Sequence, residues 1–448
     1  MSLGRILKDT FLRRPARELY WNWCDVGRQV SRLFQSSNNG FRKIVVRDQL
    51  RFCFGTVRPI EGETWERAQA AAAWLVRAQV ATPDDGVSHG FFPCEKNSGW
   101  ATSYPETTGY IIPSLLQFAR MDRSELCRDR ALRMARWEAD IQMSSGAVQG
   151  GRVCAPELRT ACAFNTGMVL DGWSAAYRTS GEPLFFEAGR RAGEFLVNDL
   201  SPDGYFRTNG AFVTNTGIKT YNVLCAWAMY RLGQDLEDDR YCQAAVRIVQ
   251  AGLKQQRSNG WFANNCLTRP EAPLSHTICY TLQGILEVGI LAKRDEFIAA
   301  AIRGVEPILS RVSDEGFLNG RYYSDWQPAA VSSCLTGSAQ LAVVCYRLHE
   351  HTGDARYRIV ADRLVNYLKA LQVLESSIEG VNGALAGSFP LIGSYMTGGY
   401  PNWATKYFLD ALMWQEQLSL GLAGQPQNMT TVPGWVQGKQ GQLLMGHR

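Results

Sequence analysis

Histidine is scarce in this 448-residue sequence, with five in all. The twelve cysteines stand singly, without a CxxC pair or a cluster at zinc-ligand spacing. That excludes a structural zinc site and a dithiol redox centre. Cys225, Cys279 and Cys345 fall inside apolar helical runs and read as small buried hydrophobes, as suits a reducing compartment. Long uncharged apolar runs are also missing. No stretch reaches the eighteen or so residues that a spanning helix needs, and the first residues have no signal-type apolar core. The expectation is a soluble, cytoplasmic protein. P-loop, Rossmann, GxSxG, HExxH and EF-hand patterns do not occur, so nucleotide-driven chemistry, serine hydrolysis and a zincin are set aside, and no cofactor or metal is expected. The net charge of +5 is mild and gives no uniformly basic surface, so no nucleic-acid partner is expected. Period-two strand runs are absent, so sheet should be minor.

What the sequence does have is a repeat. Six loops contain Asp85-Gly86-Val87, Ser145-Gly146-Ala147, Asp203-Gly204-Tyr205, Asn259-Gly260-Trp261, Glu315-Gly316-Phe317 and Glu379-Gly380-Val381. Their glycines are 60, 58, 56, 56 and 64 residues apart, a period that marks a repeat architecture. Each loop is followed by an apolar helix, a short turn and a more charged helix. The apolar set is expected near 107–121, 164–180, 219–233, 275–292, 333–351 and 403–419. The amphipathic set is expected near 64–80, 124–142, 183–199, 237–256, 294–311 and 354–373. Ser180-Gly181, Leu232-Gly233 and Thr352-Gly353 supply helix stops between them. Pro113 means that the first apolar helix either starts near Ile112 or is kinked.

Six apolar and six amphipathic helices close into an all-α (α/α)6 toroid, in which each unit buries its neighbour's apolar face. The toroid is expected over residues 56–420. Residues 1–55 form a basic, aromatic arm, with eleven Lys or Arg against four Asp or Glu up to residue 51. Residues 421–448, rich in Gly, Gln and Asn, form a flexible tail. The arm is a candidate for peripheral contact with an anionic inner membrane or a membrane synthase, the alternative being an arm packed on the toroid by Trp21, Trp23 and Phe34.

All six inner helices run the same way, so the long loops gather at one mouth, where helix N-termini favour an anionic ligand. Glu106, in the segment Gly99–Tyr110, is there either a capping acid or a catalyst. The matching positions of the other repeats hold Asn165, Tyr221 with Asn222, His276 with Tyr280, Thr336, and Asn402-Trp403 with Lys406-Tyr407. His276 stands at an inner N-terminus, which favours a function over a structural role. Trp100, Tyr104, Tyr110, Trp261, Tyr322, Trp326, Tyr400 and Trp403 make the mouth aromatic, suited either to stacking on sugar faces or to plugging the ring.

This pattern of glycine loops and paired helices resembles the α/α-toroid superfamilies, of which two branches apply. One is the terpenoid cyclase and prenyltransferase-like toroid, but DxDD, a full QxxxxxW set and the prenyltransferase zinc ligands are missing. The other comprises glycan-active toroids: uronate epimerases, polysaccharide lyases and (α/α)6 glycosidases. The run Ser103-Tyr104-Pro105-Glu106-Thr107-Thr108-Gly109-Tyr110-Ile111-Ile112-Pro113 resembles a signature of bacterial polysaccharide-biosynthesis proteins. With the aromatic mouth, the convergent helix N-termini and the scarcity of cofactor motifs, the expectation is a glycan-processing protein of exopolysaccharide production, acting on an acidic, uronate-containing or lipid-linked saccharide. For lyase or C5-epimerase chemistry, His276, Tyr104, Tyr221 and Tyr323 are the acid/base pool, and Asn165, Arg321 and Lys406 neutralise the substrate carboxylate. For hydrolysis, Glu106 and Asp325 are the carboxylate pair. The rival is a non-catalytic glycan-binding or scaffold subunit.

Overall fold

The computed structural model describes residues 39–93, 99–210 and 217–421. The arm's Arg13, Arg14, Trp21, Trp23 and Phe34 and the tail beyond Gly421 lie outside the described residues. The first described helix, α1 (Asn39–Cys53), precedes twelve that alternate between two layers. In chain order these are α2 (Thr64–Val80), α3 (Pro105–Asp122), α4 (Glu125–Ile141), α5 (Ala163–Ser180), α6 (Pro183–Asp199), α7 (Leu224–Leu236), α8 (Asp239–Leu253), α9 (Ser275–Leu291), α10 (Asp295–Leu309), α11 (Leu335–Thr352), α12 (Ala355–Leu371) and α13 (Asn402–Ser419). Odd-numbered helices from α3 onward pack on one another in sequence, and α13 packs back on α3, closing an inner ring. The even-numbered helices form the outer layer. The (α/α)6 toroid is the observed fold.

Polarity sorts the layers. In α9 every residue from Ser275 to Gly289 is buried. In α8 only Tyr241, Ala244, Ala245, Ile248, Val249, Ala251 and Gly252 are, at the spacing of one helical face. Neighbouring outer helices are stitched by a recurrent contact: Tyr241 donates to Glu194 of α6, and Tyr357 of α12 to Glu306 of α10, each at 2.8 Å.

The repeat glycine is required by a close approach. Gly204 has φ 87°, and a Cβ there would stand 2.6 Å from the Arg247 carbonyl of α8. Gly146, Gly260 and Gly316 make the same turn against Arg191, Arg303 and Arg363. In the sixth loop that part is taken by Gly383, with φ 86° against Ala70 of α2, whereas Gly380 lies on the Phe91 ring. The near-constant spacing therefore hides a three-residue slip. Gly181 and Gly353 cap α5 and α11 in the left-handed conformation. Gly233 does not stop its helix: α7 runs to Leu236, and Gly233 instead admits Cys242 of α8. Pro113 lies inside α3, which begins at Pro105.

One hairpin has no covalent turn. The sixth inner helix, α13, pairs with the first outer helix, α2. At the mouth two pairs of two-residue strands tie the loops. These are β1 (Gly90–Phe91), β2 (Ser333–Cys334), β3 (Ser388–Phe389) and β4 (Tyr400–Pro401), with β1 antiparallel to β4 and β2 to β3. One of the pairs, β1 with β4, seals this join. Toward the opposite end, inner helices are tied by ion pairs: Arg178–Asp235 at 2.7 Å, Arg231–Asp171 at 3.0 Å and Arg347–Glu287 at 3.1 Å.

Candidate active site at the toroid mouth

First turns of the inner helices meet around a cavity of about 290 Å³. α3 supplies Glu106, Thr107 and Tyr110, α5 Phe164 and Asn165, and α9 His276, Thr277 and Tyr280. The 3-10 turn Thr220–Val223 before α7 gives Tyr221 and Asn222, and α13 gives Trp403. Loops add Tyr104, Cys162, Asn209, Cys266, Arg321, Tyr395 and Met396. α11 acts from behind: Gln340 is bonded to His276, and a Cβ on Gly337 would stand 2.6 Å from the His276 amide nitrogen.

Among the described lining residues Glu106 is the one carboxylate and Arg321 the one cation. The Glu106 side chain reaches the cavity from a wall of protein. Loss of hydration pushes its pKa up to about 8, and a hydrogen bond from Tyr104 only partly opposes this. It therefore carries a proton at neutral pH. His276 is affected in the opposite sense: burial lowers its pKa to about 4, so its imidazole is neutral. Its Nδ1 lies 2.5 Å from Gln340 Oε1. With a carbonyl as partner, Nδ1 holds the proton and Nε2 keeps a free lone pair.

An aromatic chain connects these groups. Ring centroids of His276 and Tyr280 are 4.3 Å apart, His276 and Tyr395 5.9 Å, Tyr280 and Phe164 5.2 Å, and Phe164 and Tyr221 5.2 Å. Trp403 donates to the Tyr395 hydroxyl at 2.8 Å. Burial holds the phenols of Tyr104, Tyr110, Tyr221, Tyr280 and Tyr395 above their ordinary range, so they are donors rather than phenolate bases. Arg321 spans Ala272 O at 2.8 Å and the Cys266 sulfur at 3.9 Å. Burial pushes that thiol up, but the guanidinium and the backbone N–H groups of Thr268, Arg269 and Leu274 outweigh it and leave the thiol below its ordinary value.

The cavity thus gathers Glu106, His276, Tyr104, Tyr110, Asn165, Tyr221, Tyr280, Arg321 and Trp403 from the expected set. The remaining members are elsewhere. Asp325 is exposed on its loop, where it accepts the Gln327 N–H, so no carboxylate pair forms with Glu106. Tyr323 packs with Ala272 and Ala329, and Tyr322 with Trp326, whose indole donates to Asn259 O at 2.9 Å. Trp100 is held between Trp74 and Phe91, and Trp261 under Arg257. Asn402 is fully buried and pins the first loop, donating to Ser88 O at 2.8 Å and Thr107 Oγ1 at 2.7 Å. Lys406 is neutralised by Asp410 at 2.8 Å and covered by the Tyr407 ring. Tyr395, Met396, Cys162, Cys266 and Asn209 line the cavity without having been expected there. Among the described residues no three metal-type ligands gather.

Solved structures share this fold. An unsaturated glucuronyl hydrolase specific for heparin superposes with a TM-score of 0.63 at 14% identity, over 80% of this chain and 99% of that one. The unsaturated glucuronyl hydrolase of Bacillus sp. GL1, responsible for glycosaminoglycan degradation, gives 0.61 at 16%, over 80% and 98%. The Streptococcus agalactiae enzyme, as an Asp→Asn mutant with the saccharide dGlcA-GalNAc6S, gives 0.59 at 12%, over 79% and 91%. What is shared is the fold. No family model matches the chain, and no curated protein matches it in sequence.

Proposed function

We propose that this protein is a carbohydrate-active enzyme that takes the uronate end of an acidic saccharide into the toroid mouth and protonates it from Glu106. One observation carries this reading: among the described lining residues the one carboxyl, Glu106, is held protonated at neutral pH and faces a cavity whose one cation is Arg321. Arg321 receives the substrate carboxylate, and Trp403, Tyr395 and Tyr280 offer ring faces and hydroxyls to the sugar.

That Glu106 is the one carboxyl among the described lining residues also narrows the reaction. Hydrolysis of a saturated glycoside uses two carboxyl groups across the bond, and with Asp325 exposed on its loop no second carboxyl lines the cavity among the described residues. An unsaturated uronide needs less. Its double bond is an enol ether, and one proton delivered to carbon gives an oxocarbenium ion that water can capture without a carboxylate nucleophile. The glucuronyl hydrolase neighbours support this substrate class. Neutral His276 suits the activation of that water, with Gln340 fixing its tautomer. The signature Ser103–Pro113 supports a place beside exopolysaccharide production.

The test is to incubate the purified protein with oligosaccharides ending in an unsaturated uronate. The double-bond absorbance should fall with wild type and persist with Glu106→Gln. A gain of absorbance on saturated polyuronate would point to a lyase, and solvent-deuterium uptake without cleavage to an epimerase, both with His276 as base. Saturable binding with no turnover would establish the glycan-binding subunit instead, a reading favoured by the aromatic lining.

A further inference from the structure

Helix α1 carries an apolar stripe that the toroid leaves bare. Its inner face is anchored. Phe41 and Val45 are buried, Asp48 accepts the Leu391 N–H, Arg51 donates to Ala370 O at 2.9 Å, and Phe52 meets the Phe389 ring at 5.7 Å. On the other side Val46, Leu50 and Phe54 are 58%, 51% and 74% exposed. They are four residues apart and form one line: Val46 and Leu50 lie on the helix, and Phe54, in the turn just past its end, continues it with its N–H bonded to Leu50 O at 3.0 Å. Lys43, Arg47 and Arg58 are exposed around them, and no exposed carboxylate lies between residues 40 and 60.

We propose that this face of α1 docks on an anionic lipid surface. Apolar side chains flanked by cations suit the boundary of a bilayer, where Val46, Leu50 and Phe54 enter the acyl region and Lys43, Arg47 and Arg58 meet headgroup phosphates. A second copy of the same face would bring like charges together. Residues 1–38 fit no better, since they hold seven Lys or Arg against three Asp or Glu. No described helix is long and apolar enough to cross a membrane, so the contact is peripheral. α1 is bonded to Leu391 in the loop that carries Tyr395 and Met396 into the cavity, and Phe41 lies beside Gly398 of that loop. A docked bilayer therefore lies beside the mouth, within reach of a saccharide still attached to lipid.

Sedimentation of the full chain with phosphatidylcholine vesicles, with and without about one-third phosphatidylglycerol, tests this. The protein should pellet with the anionic vesicles only, and high salt should release it. Leu50→Glu with Phe54→Glu should weaken binding about tenfold or more. Lys43→Glu with Arg47→Glu should weaken it and flatten the salt dependence. Both pairs are exposed, so thermal midpoints should not move. The proposal is overturned if wild type ignores both vesicle types, or if the glutamate variants bind as wild type does. It is also overturned if they lower the solution mass with no effect on vesicles, since a second copy would then cover the face.

Discussion

The two ends of the toroid treat charge in opposite ways. Toward the turn end, Arg178, Arg231 and Arg347 reach across inner helices to Asp235, Asp171 and Glu287. At the mouth, Glu106 and His276 have no ion-pair partner among the described residues, and desolvation drives one pKa up and the other down. Both ends are buried, so burial alone does not make a site. The ring is held where charges are matched, and chemistry is available where they are not.

The largest separation of the two ends should come from Glu106→Gln. Removing the acid should lower kcat on the saccharide by about 10²–10⁴-fold and leave binding nearly intact. Equal losses in an Asp171→Asn variant would erase the distinction. Arg231→Met is the mirror case. It leaves Asp171 with only the Arg178 guanidinium nearby, at a cost of about 1–3 kcal/mol, read as a lower melting midpoint with KM unchanged. Arg321→Met should raise KM by roughly 10–100-fold with a smaller effect on kcat. Asp325→Asn should change either constant by less than about twofold, as expected of a surface substitution. A large loss there would restore the two-carboxylate hydrolase.

The pH dependence sharpens the contrast. Activity should fall as pH rises through about 8, where Glu106 gives up its proton. Stability follows the same group. Its folded pKa is raised, so its contribution is complete below the unfolded value near 4.5 and is lost as pH climbs to about 8. His276 has a depressed folded value. Its contribution is present above the unfolded 6.5 and is lost as pH falls toward about 4. In Glu106→Gln the alkaline part of both profiles should flatten and the acidic part should stay, which denaturant melts across pH would show.

The period and polarity of the helices made the toroid and its mouth legible, because a 3.6-residue face and a glycine against a carbonyl are local requirements. Glu106, Asn165 and His276 followed from their place in the first turn of an inner helix and Tyr221 from the turn just before one, although Asn402, at the same place in α13, turns instead to Ser88 and Thr107. Loop side chains did not follow. Trp261 and Trp326 look alike in sequence to Trp403, yet their partners are Arg257 and the Asn259 carbonyl, distances that no spacing encodes. Tyr395 and Cys266 reach the cavity from loops without periodicity. Gly383 was masked by Gly380 three residues earlier, because a fixed interval does not distinguish two glycines in one loop.

Residues 64–80 and 402–419 complete one hairpin across a gap of more than three hundred positions. A growing polypeptide therefore holds five finished units and an exposed seam until α13 emerges. Trp403 and the partner of β1 arrive with that same helix. Saccharide affinity should thus be acquired in a single late step of synthesis, and a ribosome-stalled intermediate released before α13 should present a greasy edge to chaperones rather than a weakened enzyme.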